Sequence, residues 1–338
     1  MDEQAKRAPT AVWRQLIARF ATFAASWLVA SIVVFGLLNL LPGDVAGVML
    51  GSSATPAAVE ALREQLGLNA PLLVRYAHWL LGLLHGDLGR SAFSQLSIGT
   101  LVGSKLAVTC WLVLLGMALA ILIAVPMGAF AAMHQRRPSG VAVSVVSQLG
   151  MSVPAFLAGI VLVVVFAVKL RWLPANGYTP LLQDPLDWLR RLILPALALG
   201  IVQAAVLVRY VRGAFIDVLA QDYFRTARAV GWTRGRAIMR HGLRNAALQI
   251  VTVVGLQLAT LFVGAVIIEN VFVLPGLGAL LLNAVQTRDL PLVQGIVMVL
   301  VTLILAINAV VDMAYAAIDP RLRAQAQAPD ESDAEVAI

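Results

Sequence analysis

The residues best equipped for chemistry in this 338-residue chain are arginines, gathered in RTARAVGWTRGRAIMRHGLRNA, Arg225 to Ala246. Arg225 and Arg228 are three apart, and Arg236, Arg240 and Arg244 recur every four, so each set lines one face of a helix. Guanidinium groups do not exchange protons near neutral pH; they recognise carboxylates and phosphates. That is docking chemistry, and the groups that bond-making needs are scarce elsewhere. His78, His85, His134 and His241 are scattered with no HExxH pair, the single cysteine is Cys110, and no G-x-x-x-x-G-K-[ST] phosphate loop occurs. A membrane-embedded hydrolase would need a nucleophile–base pair or a metal cluster, and neither stands out. No cofactor is expected.

Two short helices must carry these arginines. In QDYFRTARAVG, Phe224, Ala227 and Val230 recur every three residues as an apolar stripe beside Arg225 and Arg228. Gly231 breaks that run, and Thr233 is placed to cap a second helix. The cations could simply anchor to lipid headgroups, at about 1 kcal/mol per residue near an anionic surface. That leaves unexplained an apolar stripe that water would waste. A helix–glycine–helix element of this kind also suits a groove on another protein, whose movement it would pass on.

The surrounding chain is built for lipid. Charged residues make up 13%, against roughly 25% in a soluble domain, and the mean hydropathy is +0.86. Six apolar runs approach the roughly 20 residues that a span requires: Leu16–Leu41, Leu106–Ala131, Val141–Val168, Ile193–Leu207, Ala247–Ile268 and Pro291–Ala316. The fourth is short and needs its polar flanks, which include Arg190, Arg191 and Arg209, to complete its length. No alternating lipid-facing strand pattern occurs, so the expected fold is all-α, a polytopic membrane protein of six helices. Sixteen of the 25 Lys and Arg residues fall on the side of both termini and of the loop between spans four and five. The positive-inside rule makes that side cytoplasmic. Although the pI is 10.2, these cations follow the topology and lack base-stacking aromatics, so nucleic acid is not an expected partner. Membrane lipid is.

The expected organisation is a cytoplasmic N-terminus (1–15), a transmembrane domain (16–318) and a short acidic cytoplasmic tail (319–338). Inside the domain lie a large outer insertion, residues 42–104, and the basic inner loop, residues 209–246. The first apolar run is longer than a signal-peptide core and is followed by LPGD, so it stays as a helix. The insertion carries its own helical patterning in VEALREQLGL and YAHWLLGLL; it either caps the bundle or meets something arriving from outside.

Polar residues inside spans are costly and usually face a bundle interior. Ser144, Ser147, Gln148 and Ser152 are spaced three and four apart in span three, with Gln203 in span four and Thr252, Gln257 and Thr260 in span five. They could line a hydrated path or form interhelical hydrogen bonds of about 0.6 kcal/mol each. Asn308 and Asp312 share a face of span six, where they could bind an ion or relay a proton, with a structural bond the simpler role. Between spans five and six, Glu269, Arg288 and Asp289 accompany Pro275, Gly276 and Gly278, which permit sharp turns. This outer loop could gate the path, contact an external protein, or only pack.

The basic segment resembles the cytoplasmic coupling loop of permease subunits of ATP-binding cassette importers, and specifically the dipeptide/oligopeptide/nickel branch. That branch typically reads DY-x-RTARA-x-G and then RHALRNA. Asp222, Tyr223, Arg225, Thr226, Ala227, Arg228, Ala229 and Gly231 match, as do Arg240-His241, Leu243 and Arg244-Asn245-Ala246. Val230 stands where lysine is common and Gly242 where alanine is. Similar stretches run through the chain in order: LPGD at Leu41–Asp44, LGLNAPLLVRYAHWLLGLLHGDLGRS, SVPAF, WLPANGY, ENVFVLPGLGALLLNAVQTRDLPLVQG, and NAVVDMAYAAIDPRLR.

The resemblance implies a type I importer half-channel in a bacterial inner membrane. It would pair with a second homologous permease, above two ATP-binding subunits, and receive solute from an extracytoplasmic solute-binding protein. It implies that Asp222 to Arg228, with Val230 and Gly231, couple to the ATPase, and that Arg225 and Arg228 meet its carboxylates. ATP hydrolysis would reside in the partners, so the chain itself is not expected to be an enzyme. Within this branch the cargo could be a di- or oligopeptide, glutathione, or nickel and other metal chelates. An ion-coupled secondary transporter is the competing class; it would be expected to show interrupted helices in paired halves, and none stands out.

Overall fold

A computed structural model describes residues 4–40, 45–51, 55–65 and 67–318. The LPGD motif, the tail from 319 onward and, with it, Arg321 and Arg323 lie outside the described residues. The chain is all-α as expected; among the described residues the only strand-like feature outside the helices is an isolated bridge between Arg90 and Ser97.

The first span is α1 (Gln4–Leu40). Three short outer helices follow, α2 (Val45–Leu50), α3 (Pro56–Gln65) and α4 (Leu72–Leu84). Span two is α5 (Ile98–Met133). Span three is split into α6 (Pro138–Met151) and α7 (Ala155–Leu162), the latter continued by a π turn over Val163–Lys169. Span four is α8 (Pro185–Ala220), followed by α9 (Asp222–Ala229), α10 (Arg234–Ala237) and a π turn over Ile238–Gly242. Spans five and six are α11 (Leu243–Val271) and α13 (Leu290–Ile318), with α12 (Leu277–Gln286) between them.

Two features differ from the sequence reading. Val141–Val168 is not one straight span: α6 and the segment Ala155–Lys169 meet at 99°. The cause is Pro154, which removes an amide donor and disfavours helical geometry at Val153, so a new helix starts with Pro154 extended at ψ 140°. The fourth span is far longer than Ile193–Leu207. Its outer end begins where the Asp184 carboxylate accepts from the N–H groups of Leu186 and Asp187, with Pro185 in the first turn. Arg190 and Arg191 fall within this helix, and Arg191 bonds Asp187 at 2.7 Å and the Asn176 carbonyl at 3.0 Å. Arg191 therefore pins the WLPANGY loop, which explains a cation on the outer side.

The core is centred on α8, which packs against α5, α6, α7 and α11. Small residues permit its close approach to α5: a Cβ on Gly128 would lie 2.6 Å from Val211, and one on Gly200 would lie 3.0 Å from the Gly116 carbonyl oxygen. A second apolar cluster, including Ile98, Val102, Leu277, Leu292 and Ile296, joins the outer ends of α5, α12 and α13. The first span sits at the edge, touching α13 and α4.

Candidate functional site

The cytoplasmic element is built from a helix stop. At the end of α9 the Gly231 N–H donates to the Arg228 carbonyl (3.1 Å) and the Trp232 N–H to the Ala227 carbonyl (3.1 Å). This paired pattern needs a left-handed residue between, and Gly231 supplies it at φ 91°. Thr233 then accepts from the Arg236 N–H and opens α10. The Arg228 guanidinium donates to the Trp232 carbonyl at 2.9 Å, clamping the turn from its side chain. Arg236 and Arg240 lie over the Trp232 ring, 5.1 and 5.6 Å from its centroid.

The stripe Phe224–Ala227–Val230 is divided by the fold. Phe224 is 5% exposed and belongs to the chain's own core, Ala227 packs partly against it, and Val230 is 74% exposed. Phe224 is thus the peg that fixes α9 to the bundle, a direction that a three-residue period cannot give. Asp222, Tyr223, Arg225, Thr226, Arg228, Val230 and Gly231 are exposed. Arg225 makes a 3.5 Å contact with Asp222, both well exposed, so solvent screens the pair. Partial burial pushes the Tyr223 hydroxyl above its ordinary pKa, against a hydrogen bond with Asn245 that lowers it. Only Gln221 separates α9 from α8, so a displacement of α9 reaches the central helix through one residue.

Trp232 went unnoticed in the sequence, although arginines four and eight residues after it are the spacing that stacking on one helical face requires. In the sequence Arg212 stands out only as one of the sixteen cations on the side of the termini. In the structure its Nε is buried and has no partner among the described residues. It lines a groove of about 400 Å³ with Ser144 and Gln148. Ser147 is buried and Ser152 exposed. The serine hydroxyls of α6 bond carbonyls of their own helix, Ser144 to Gly140 (3.0 Å) and Ser147 to Ser144 (2.9 Å), and Ser152 reaches Gln148 at 3.4 Å. Gln203 is buried within α8 with Nε2 unpartnered. Thr252 and Thr260 are exposed on α11, where Thr260 bonds the Gln257 carbonyl at 2.8 Å, and Gln257 is half-buried. The structure therefore joins Ser144 and Gln148 to Arg212 and leaves Thr252, Gln257 and Thr260 on a separate helix.

On the outer side Glu269 and Asp289 are both buried. Glu269 accepts from the N–H groups of Gly278 (2.7 Å) and Ala279 (3.2 Å), and from the Thr109 hydroxyl (2.5 Å), which itself accepts from the Leu277 N–H (2.9 Å). The glutamate and threonine together cap α12. A Cβ on Gly276 would fall 2.1 Å from that carboxyl and one on Gly278 would fall 2.4 Å from the Val266 Cα, so both glycines are dictated by close packing. Asp289 accepts from the Ser91 hydroxyl (2.5 Å) and from the N–H groups of Ala92 (3.0 Å), Phe93 (3.3 Å) and Leu292 (3.2 Å). It both caps α13 and holds the outer insertion down. Pro275 is half-buried, and of the charged residues in this loop Arg288 is exposed.

Comparison with known proteins accounts for this architecture. Residues 124–324 match the family described as "Binding-protein-dependent transport system inner membrane component", and residues 12–99 match its N-terminal companion. A putative peptide transport system permease protein of Brucella abortus (strain 2308) is 41% identical over 308 residues, covering 91% of this chain and 98% of that one. A probable peptide ABC transporter permease of Sinorhizobium fredii is 38% identical, over 92% and 98% of the two chains. The glutathione transport system permease GsiC of Escherichia coli (strain K12) is 37% identical, over 91% and 98%. An inward-facing structure of the MetNI methionine ABC transporter shares the fold, with a TM-score of 0.55 at 17% identity over 65% of this chain and 96% of that one. The chain belongs to the inner membrane components of binding-protein-dependent transport systems, and is a multi-pass ABC importer permease subunit of a bacterial inner membrane.

Proposed function

We propose that this chain forms half of the translocation channel of an ATP-driven importer for di- and oligopeptides. The observation that carries the cargo class is its similarity, over nearly the whole of both chains, to permeases named for peptide transport. A second homologous permease completes the channel, two ATP-binding subunits sit beneath it, and an extracytoplasmic solute-binding protein delivers the peptide. Hydrolysis belongs to the ATP-binding subunits.

The geometry of α9 supports the drive mechanism. It is a short helix pegged by Phe224, closed by the Gly231 turn, and continuous with α8 through Gln221. The exposed face from Asp222 to Val230 meets the ATPase, Arg225 through a carboxylate. Closure of the ATP-binding subunits moves α9 as a rigid body, and α8 and α11 tilt with it. The groove at Ser144, Gln148 and Arg212 lies on the route that this tilt opens, and the Arg212 guanidinium offers a peptide carboxylate a partner there.

The test is uptake into vesicles holding the assembled transporter. Labelled dipeptide should accumulate only with ATP inside and the binding protein outside. Accumulation driven by an ion gradient without ATP would overturn the importer reading. Glutathione is the second cargo to test, because the glutathione permease is nearly as similar as the peptide permeases. Saturable, ATP-dependent uptake of glutathione in place of dipeptides would replace the peptide reading.

A further inference from the structure

We infer that α4 lies in the outer leaflet of the membrane and that the basic cavity beside it holds the phosphate of an anionic phospholipid. This goes beyond the importer reading and depends only on the chain being membrane-embedded.

The depth of α4 follows from what it touches on α1. The Tyr76 hydroxyl lies 2.8 Å from that of Ser31, and the rings of Tyr76 and Trp79 pack on Phe35 with centroids 5.3 and 5.6 Å away. Ser31 is nine residues before Leu40, which places this contact about 13 Å below the outer end of α1 at 1.5 Å per residue. That region falls within the apolar run Ile17–Leu40. The stripe of α4 turned away from α1 is apolar and bare: Leu73 is 82% exposed, and Leu81 and Leu84 are exposed with it. Phe93 and Leu96, on the loop beside it, are exposed too. In water this surface is unfavourable; against acyl chains it is the face an interfacial helix presents.

At the ends of α1 and α13, where headgroups lie, is a cavity of about 270 Å³ lined by Asn39, Arg75, Arg90, Ser91, Gln95 and Gln294 together with apolar residues. Its lining holds two guanidinium groups and no carboxylate. Among the described residues neither arginine has an ion-pair partner; Arg90 reaches only the Gln95 carbonyl, at 3.5 Å, and Gln294 Nε2 is buried without a hydrogen-bond acceptor. The wall is stiff, because Asp289 fastens Ser91, Ala92 and Phe93 to the start of α13. Two cations without a counter-charge, next to a lipid-facing helix, are matched by a phosphodiester with a net negative charge.

Two measurements on the assembled transporter test this. In a Cys110→Ala background, Leu73→Cys carrying a fluorophore should be quenched by phospholipids brominated along their acyl chains. Quenching by aqueous iodide alone, or by neither agent because a second subunit covers the label, would overturn the placement of α4. Native mass spectrometry from phosphatidylglycerol-containing nanodiscs should show that the double variant Arg75→Gln, Arg90→Gln loses one retained phosphatidylglycerol per permease, while excess inorganic phosphate displaces none from the wild type. Equal lipid retention in the double variant, or displacement by inorganic phosphate, would overturn the lipid site. The Leu73 label, read in the double variant, separates loss of lipid from loss of fold.

Discussion

Thr109 on the second span and Glu269 on the fifth share a 2.5 Å hydrogen bond at the root of α12, and each also takes backbone N–H groups of that helix. A short outer helix is thereby tied to two spans that are remote in sequence. Thr109→Val keeps the shape and removes the hydroxyl, leaving the Leu277 N–H and a carboxylate oxygen unmatched. The expected destabilisation is about 1–3 kcal/mol, read as a lower thermal midpoint in detergent. An unchanged midpoint would show that the pair contributes nothing net.

Phe224→Ala should detach the lever without removing its exposed face. Truncating a buried phenylalanine costs about 3–5 kcal/mol, here localised at the junction of α9 with the bundle. The assembled complex should still bind its ATP-binding subunits and hydrolyse ATP, while peptide uptake falls at least tenfold. Loss of both activities in parallel would mean that Phe224 serves overall stability alone.

Gly231 and Gly235 form a matched pair. Neither has a heavy atom within 4 Å of where a Cβ would stand, yet only Gly231 has positive φ. Gly231→Ala is therefore strained by about 1–2 kcal/mol, whereas Gly235→Ala, inside α10, is neutral or stabilising. Uptake and ATPase co-purification should drop for the first variant and hold for the second. Equal behaviour of the two would remove the turn from the mechanism.

Arg228 has two roles to separate, the clamp on the Trp232 carbonyl and a contact on the ATPase. Arg228→Glu should abolish coupled uptake with normal membrane insertion. Arg228→Gln, which retains a donor for the carbonyl but no charge, should bind the ATPase subunits more weakly, with the deficit growing less at high salt in the wild-type comparison. Wild-type uptake by the glutamate variant would rule out both roles.

Arg212→Gln tests the inner groove. ATP hydrolysis and subunit assembly should stay within twofold of wild type, while uptake of dipeptides with a free C-terminus falls several-fold and that of C-amidated dipeptides changes little. An equal fall for both cargoes would argue that Arg212 positions helices and does not meet the carboxylate.

Much of this architecture was legible because lipid imposes simple rules. The number and order of the spans followed from apolar run length, and the stop at Gly231 and the cap at Thr233 from residue type alone. What escaped was anything set by tertiary direction. The three-residue period of Phe224, Ala227 and Val230 could not say that Phe224 turns inward, since a period defines a face and not what that face meets. The apolar content of the third span runs on through Pro154, so hydropathy passed over a right-angled bend. For Glu269 and Asp289 the sequence leaves gating, external contact and packing open, because the N–H groups that decide for packing, those of Gly278 and Ala279 for Glu269 and of Ala92 and Phe93 for Asp289, are brought to them by the fold. Trp232 needed its two arginines on a known helix face before its ring had a role.

The bend at Pro154 also bears on how the chain is made. A helix of 14 residues such as α6 reaches only about 21 Å, and the segment from Ala155 to Lys169 is of similar reach, each short of a hydrocarbon layer about 30 Å thick. Neither half can leave the insertion machinery as a self-sufficient span. Both halves pack on α8, which the ribosome completes dozens of residues later. The third span is therefore completed by the fourth, against which both of its halves pack, and the two enter the folded bundle as a pair.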